Sequence, residues 1–350
     1  MSTKIKFGLF DQLELPAEQD YETMLRQKFE IVRLADRLGC FDTFFSTERH
    51  FTRLSVNLSQ SVLLSALSQI TSQIRLCALV YVLPIRNPLL LAEEIAMLDH
   101  ITSGRLEVGF GSGISELELR YFGLSAERAR LVSREAFDLL FKYFTFSSNE
   151  FSFTGRYFKY HNVPRLVKPL QKPHPPIWIP SRNRETMKWL GGLGLNTAWI
   201  FDSYETIKTA FDVYWKNFKP RNGMPKVGIV RHVFVAKSDE TAIRTIKPAL
   251  INYGRDERFL FGDRKKSYAK KRIGYEPFDL YAFEDPNYIL SHEIAIAGSP
   301  KTVSEKIRKA ISITGANYFI PYMDFGSMKH EDVQESLQLF SSDVYPDFSG

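Results

Sequence analysis

Residues 84–113 read PIRNPLLLAEEIAMLDHITSGRLEVGFGSG, and this stretch decides the fold. An apolar run ending at Leu83 closes on Pro84, as a strand end does. Asn87 is placed to cap a helix, with Pro88 at its first position, where a missing N–H does no harm. Leu91, Ile95 and Leu98, with Ala92 and Ala96, recur at helical spacing. Ser103-Gly104 stops that helix in the manner of a left-handed C-terminal glycine. Leu106–Phe110 is then a second strand. Gly111-Ser112-Gly113 is a turn with little side-chain bulk, so a ligand can approach its backbone closely. Strand, crossover helix and parallel strand make one βαβ unit.

The same alternation extends to both sides. Lys4–Phe10, Phe41–Ser46 and Ile74–Leu83 read as the first three strands, and Tyr21–Leu38 and Leu58–Ile70 as the helices between them. Ala126–Phe144 is a further helix. Glu150–Lys168 reads as a β-hairpin turning at Thr154-Gly155. Strands follow at Ile177–Ile179, Thr197–Phe201, Val227–Ala236 and Tyr318–Tyr322, with a helix starting at Arg184–Leu190 and others at Tyr204–Phe218, Asp239–Leu250, Pro300–Thr314 and Glu331–Phe340. Eight strands alternating with about eight helices predict an α/β chain folded as a (β/α)₈ TIM barrel rather than an open sheet. One domain is expected over 1–350. Its insertions are the hairpin before the fifth strand, about 146–175, and a long segment before the eighth, 253–291.

Composition limits the function. The chain has 350 residues, 44% hydrophobic, enough for a sizeable core. No apolar run approaches the ~20 residues that cross a bilayer. The N-terminus lacks a signal-peptide core, and Cys40 and Cys77 do not make a disulfide framework, so a reduced, cytoplasmic setting is expected. A net charge of +6 does not argue for nucleic acid. Six basic residues cluster at 264–272. They are either a solvated loop or part of a mobile lid, 253–291, that attracts an acidic carrier or a phosphorylated substrate. No His-x-His or HExxH stands in the chain, no G-x-S-x-G, and no Walker A motif, which argues against a hydrolytic metal barrel, an α/β-hydrolase and a P-loop enzyme.

Barrels of this kind carry their active sites at the C-terminal strand ends. That rule nominates Asp11 and Gln12, Glu48-Arg49-His50, Ser112 and Ser115, Ser181-Arg182-Asn183 with Thr186, Trp199 and Phe201, and Tyr322 and Asp324. The helix start at Ser181–Thr186 suits a phosphate, or is an ordinary cap with nothing bound. Glu48, Arg49 and His50 place three ionisable groups on one turn, for catalysis or as a structural ion pair.

At this point a resemblance appears. NPLLLAEEIAMLDHITSGRLEVGFGSG resembles the defining segment of the bacterial luciferase-like flavin-dependent monooxygenases, the two-component enzymes related to alkanal monooxygenase. STERHF (46–51), TSQIRLCALVYVLPIRNP (71–88), EFSFTGRYFKYHNV, KPHPPIWIPS, SITGANYFIPYMDFG and ESLQLFSSDVYP are similar to other family segments in the same order. The resemblance implies a (β/α)₈ barrel, a homodimer, and reduced FMN, or F420 in some branches. It puts Leu79-Val80 at the isoalloxazine edge, often with a non-proline cis peptide between them. It puts Gly111 and Ser112 beside the flavin and its ribityl phosphate. Asn183 and Thr186, with Ser181 and Arg182, fall on the phosphate-binding helix start. An apolar lining of Phe10, Leu79, Tyr81, Trp199 and Phe201 suits the flavin ring.

The implied chemistry is the flavin's: reduced FMN and O₂ give a C4a-peroxyflavin that oxygenates a small organic or carrier-bound substrate. Glu48, Arg49 and His50 are the implied catalytic group, with His50 and Arg49 stabilising the peroxide or orienting the substrate. A separate flavin reductase is the implied donor, since no nicotinamide-binding domain is evident. Two positions depart from the pattern. Bioluminescent members have Glu-His-His-Phe where this chain has Glu48-Arg49-His50-Phe51, and Arg49 stays charged and cannot act as a base. The phosphate arginine that luciferases carry after the fourth strand is Ser112 here. The other readings are an F420-dependent hydride-transfer oxidoreductase and a non-catalytic flavin-binding or partner subunit.

Overall fold

The computed structural model describes residues 5–220, 223–261 and 285–349. Its central sheet is wholly parallel. It comprises β1 (Lys6–Asp11), β2 (Thr43–Ser46), β3 (Arg75–Val82), β4 (Leu106–Gly111), β7 (Ile177–Trp178), β8 (Thr197–Ile200), β9 (Val227–Val235), β10 (Ala295–Gly298) and β11 (Tyr318–Tyr322). The antiparallel hairpin of β5 (Glu150–Thr154) and β6 (Lys159–Pro164) stands apart, before β7, as the sequence predicts. Strands pair in the order β9-β11-β1-β2-β3-β4-β7, and β8 pairs with β9. The ring closes between β7 and β8 through a parallel bridge, Trp178 to Asn196, with two backbone hydrogen bonds of 3.0 Å. This is a (β/α)₈ barrel.

The local rules hold where they are sharpest. Asn87 Oδ1 accepts from the N–H groups of Leu89 and Leu90, Pro88 opens helix α3 (Pro88–Ile101), and Gly104 has φ +77°. Several elements differ from the sequence reading, the short helices Glu116–Tyr121 and Pro286–Ser291 among them. A ninth strand, β10, pairs parallel with the far end of β9, from Ala295–His232 to Gly298–Val235. Helix α8 (Asp239–Phe261) runs through Pro248 and well past Leu250, where the periodicity ends. The basic cluster 264–272 lies outside the described residues. Among the described residues no helix is long and apolar enough to cross a membrane.

Strand alternation sorts side chains into two layers. Phe7, Leu9, Phe44, Leu76, Val108, Phe110 and Ile229 point out and meet helices. Phe10, Phe45, Cys77, Leu79, Trp178, Val230, Tyr318 and Tyr322 point in. The N-terminal end of the barrel is closed by charge. Lys226 Nζ donates to Glu107 at 2.8 Å and also pairs with Asp42, while Arg75 and the Trp178 indole donate to the same Glu107 carboxylate. The C-terminal strand ends form the opposite, open end of the barrel.

Candidate active site

Glu48 organises one side of the mouth. It leaves the end of β2 with its side chain 0% exposed. Its Oε1 accepts from Arg86 Nη2 at 2.6 Å and lies 3.0 Å from His50 Nε2. Its Oε2 accepts from the Val82 N–H at 3.0 Å. Glu118, on the short helix α4 (Glu116–Tyr121), accepts from the His50 backbone at 2.8 Å and pairs with Arg49 at 3.3 Å. The structure thus gathers Glu48, Arg49 and His50 and adds Arg86 and Glu118, which the sequence reading does not find. Buried carboxylates held by several donors keep their side chains in one geometry.

The Leu79–Val80 peptide bond is cis. The strand beside it must be bare at two positions. A Cβ on Gly109 would lie 2.5 Å from the Ala78 carbonyl oxygen, and one on Gly111 would lie 2.7 Å from Val80 Cγ2. Gly111 therefore makes room for Val80, and through it for β3.

Three residues beyond the Gly109–Trp178 register pair come Ser112 on one strand and Ser181 on the next. Asn183 caps helix α6 (Arg184–Leu193), its Oδ1 accepting from Thr186 N at 3.0 Å. Ser181 Oγ accepts from Asn183 N at 3.1 Å, and Arg182 Nη2 donates to the Ile200 carbonyl at 2.8 Å, tying this turn to β8. Hydroxyls of Ser112, Ser181 and Thr186, a guanidinium and a helix start form a donor set of the kind a phosphate monoester takes. These residues fit the phosphate end of a flavin nucleotide.

The other half of the mouth, at β1, β9 and β11, is richer than the sequence suggests. Asp11 and Asp324 share the Lys28 ammonium at 2.9 and 2.8 Å. Burial outweighs that pull and lifts Asp11 to about 6. Glu14 accepts from the Tyr322 hydroxyl and, at 2.7 Å, from the Gly326 N–H; burial lifts it to about 8. Tyr322 leads to His232 on β9, whose imidazole burial keeps neutral. Gln12 donates at 2.9 Å to the Tyr253 hydroxyl on α8. Asp11, Gln12, Tyr322 and Asp324 are expected at strand ends; Glu14, Lys28, His232 and Tyr253 are not. Lys28 in particular reads as a surface residue of an amphipathic helix.

Glu14 sets a stability profile. Its folded value of about 8 stands above its ordinary 4.5, so between these limits the fold holds a proton that the unfolded chain has lost. Stability then falls as pH rises through that window. Glu14→Gln is expected to flatten the decline between pH 4.5 and about 8 and to melt above the wild type at the alkaline end. Thermal unfolding at stepped pH measures this; an unchanged slope would refute it.

Two lining residues are corrected. Trp199 and Tyr81 belong to the layer between strands and helices: Ala198, the neighbour of Trp199 in the pleat, takes the inward position, and the register of β3 shifts between Ala78 and Tyr81, so that Tyr81 does not share the inward face of Leu79. The Trp199 indole donates to Asp202 at 3.2 Å, and the Tyr81 hydroxyl lies 3.1 Å from Ser61 Oγ. Phe10, Leu79 and Phe201 do face inward.

Barrel and mouth together define an α/β-barrel protein whose polar groups converge at the C-terminal strand ends, the arrangement of enzymes built on this fold. The luciferase-like monooxygenase family model matches residues 5–317, and the chain belongs to that family. Its sequence is 29% identical over 346 residues to the uncharacterized protein y4wF of Sinorhizobium fredii, covering 94% of this chain and 93% of the relative. It is 23% identical over 354 residues to the oxygenase component of the flavin-dependent trigonelline monooxygenase of Acinetobacter baylyi, covering 99% and 96%. Among solved structures it is similar to the oxygenating constituent of 3,6-diketocamphane monooxygenase from Pseudomonas putida, a type II Baeyer–Villiger enzyme in complex with FMN. The TM-score is 0.80, at 20% identity over 98% of each chain.

Proposed function

We propose that this protein is the oxygenase component of a two-component flavin monooxygenase, taking reduced FMN from a separate reductase and using O₂ to oxygenate a small organic or carrier-bound substrate. The observation that carries the reading is the donor set at Ser112 and Ser181–Thr186, on adjacent strand ends beside the cis Leu79–Val80 bond. The names of the trigonelline and diketocamphane enzymes support the choice of a flavin and of a reductase partner. Bound reduced flavin supplies the reaction with O₂.

The protein's share is binding, orientation and exclusion of water. Ser112, Ser181, Arg182, Asn183 and Thr186 hold the phosphate. Leu79, Val80 and Gly111 border the ring; Trp199 acts only from behind its strand. His50, fixed by Glu48, faces the substrate with Arg49. His50→Ala is expected to bind reduced FMN as the wild type does and to turn over about a hundredfold slower, within the range for loss of a positioned donor. Normal turnover would remove His50 from the mechanism.

A homodimer is part of the proposal. Val62 on α2 (Gln60–Ser68) and Leu90 and Met97 on α3 are exposed apolar side chains on two helices packed together. A cytoplasmic setting accords with the two buried free cysteines.

The test is anaerobic titration with photoreduced FMN and, separately, with reduced F420, followed by mixing with oxygenated buffer. Tight FMN binding and an oxygen-dependent absorbance transient are expected. Binding of F420 alone would move the protein to hydride transfer, and binding of neither would favour a non-catalytic subunit.

A further inference from the structure

Three buried polar atoms on the β1–β9–β11 side of the mouth have no hydrogen-bond partner among the described residues: both ring nitrogens of His232 and Oε1 of Gln12. His232 is 0% exposed. Its imidazole is stacked on Phe201, with centroids 4.2 Å apart and planes 15° apart. Phe325 at 4.0 Å and Tyr253 at 4.5 Å close round it. Aromatic rings answer neither the N–H nor the lone pair of an imidazole edge. The orientation of Gln12 follows from its neighbours. Tyr253 donates its hydroxyl proton to Glu257 at 2.8 Å, so it accepts from the Gln12 amide nitrogen, and the amide oxygen is the end left over.

A fold leaves such atoms unanswered only at a cost. The cost is understandable where a ligand completes them. A neutral imidazole offers one donor and one acceptor, and the Gln12 oxygen a further acceptor. A hydroxyl group answers one His232 nitrogen and the Gln12 oxygen together: it accepts from the imidazole N–H and gives its proton to Gln12. A carboxylate only accepts and leaves Gln12 unanswered. A hydrocarbon answers nothing. The position is also apt, because β9, β11 and β1 form the arc of the ring opposite β3, β4 and β7, where the flavin is proposed to lie.

We propose that His232 and Gln12 are the substrate-orienting pair of this site and bind a neutral hydroxyl group carried by an otherwise apolar substrate. That the ligand is a substrate rests on the oxygenase reading; the hydroxyl site does not. Because rings enclose His232, the ligand enters when one of them turns aside.

The probes are cyclohexanol, methylcyclohexane and cyclohexanecarboxylate, added to the whole protein. Calorimetry measures affinity, and ¹⁵N spectra of histidine-labelled protein report the His232 ring. Cyclohexanol is expected to bind about tenfold tighter than methylcyclohexane, the worth of one net hydrogen bond, and to shift the His232 nitrogens. His232→Phe keeps a flat ring of similar size. It is expected to lose the preference, to keep reduced-FMN affinity, and to melt no lower than the wild type. Gln12→Leu is expected to weaken the preference and likewise to spare FMN binding. Equal affinity for all probes, tightest binding of the carboxylate, or a preference that survives both substitutions would overturn the proposal. Should His232→Phe fail to fold, the wild-type nitrogen shifts and Gln12→Leu decide. A hydroxyl preference without FMN binding would refute the oxygenase reading and leave this site standing; FMN binding without the preference would do the reverse.

Discussion

Glu48→Ala is expected to lower stability by about 3–5 kcal/mol, the range for breaking a buried ion pair from one side. The carboxylate has no contact with solvent and is shared by Arg86, His50 and the Val82 N–H. Alanine leaves a half-buried guanidinium and a backbone donor facing a void. The three groups come from the ends of β2 and β3 and the turn before α3, so the loss also loosens the mouth. Urea unfolding at pH 7 measures it. Glu48→Gln keeps the volume and one acceptor and is expected to lose less. A loss below about 1 kcal/mol for alanine would place the pair with exposed ion pairs, which contribute that little. Activity is expected to fall with the fold intact, because His50 loses the group that orients its ring.

Gly109→Ala is expected to cost about 3 kcal/mol, the upper end of ordinary overpacking. The added methyl would lie 2.5 Å from the Ala78 carbonyl oxygen and 3.1 Å from side-chain carbons of both Leu79 and Val80. A flexible side chain could swing away; a strand backbone bonded on both sides cannot. Relief must come from moving β3 relative to β4, the strand that leads into the turn proposed to hold the phosphate. Reduced-FMN affinity is therefore expected to fall with stability. Gly192 provides the contrast. It lies in α6, where a methyl group added to it would meet nothing within 4 Å, so Gly192→Ala is expected to be neutral or to gain up to about 1 kcal/mol from helix propensity. Equal behaviour of the two alanines in urea unfolding would refute the steric account.

Much of the barrel is legible in the sequence because its punctuation is local. Asn87-Pro88 starts a helix and Ser103-Gly104 ends it whatever surrounds them. Strand β10 escapes because Ala295-Ile296-Ala297-Gly298 offers one β-branched residue in four; its pairing with β9 is a tertiary fact. Helix α8 reads as ending at Leu250 because Pro248 and a polar stretch obscure its period, while Tyr253 and Leu260 in fact remain on its buried face. The site divides in the same way. Glu48, Arg49 and His50 are adjacent in sequence and can be found there. His232, Gln12, Glu14 and Lys28 meet from distant segments, and each alone has a bland explanation. Trp199 is misplaced for want of parity: on a four-residue strand one step decides whether an indole lines the mouth or backs it.

The ring of strands is not equally thick all the way round. Between β7 and β8 it is held by a bridge and two backbone hydrogen bonds, a seam in an otherwise continuous hoop. Arg182 reaches across that seam to the Ile200 carbonyl, and the turn from which it reaches is the one proposed to receive a phosphate. A phosphate seated there would work as a rivet. It would draw the Ser112 side and the Ser181–Thr186 turn onto one anion while Arg182 stayed pinned to β8. On the proposed function, cofactor loading and mechanical closure of the hoop would be one event.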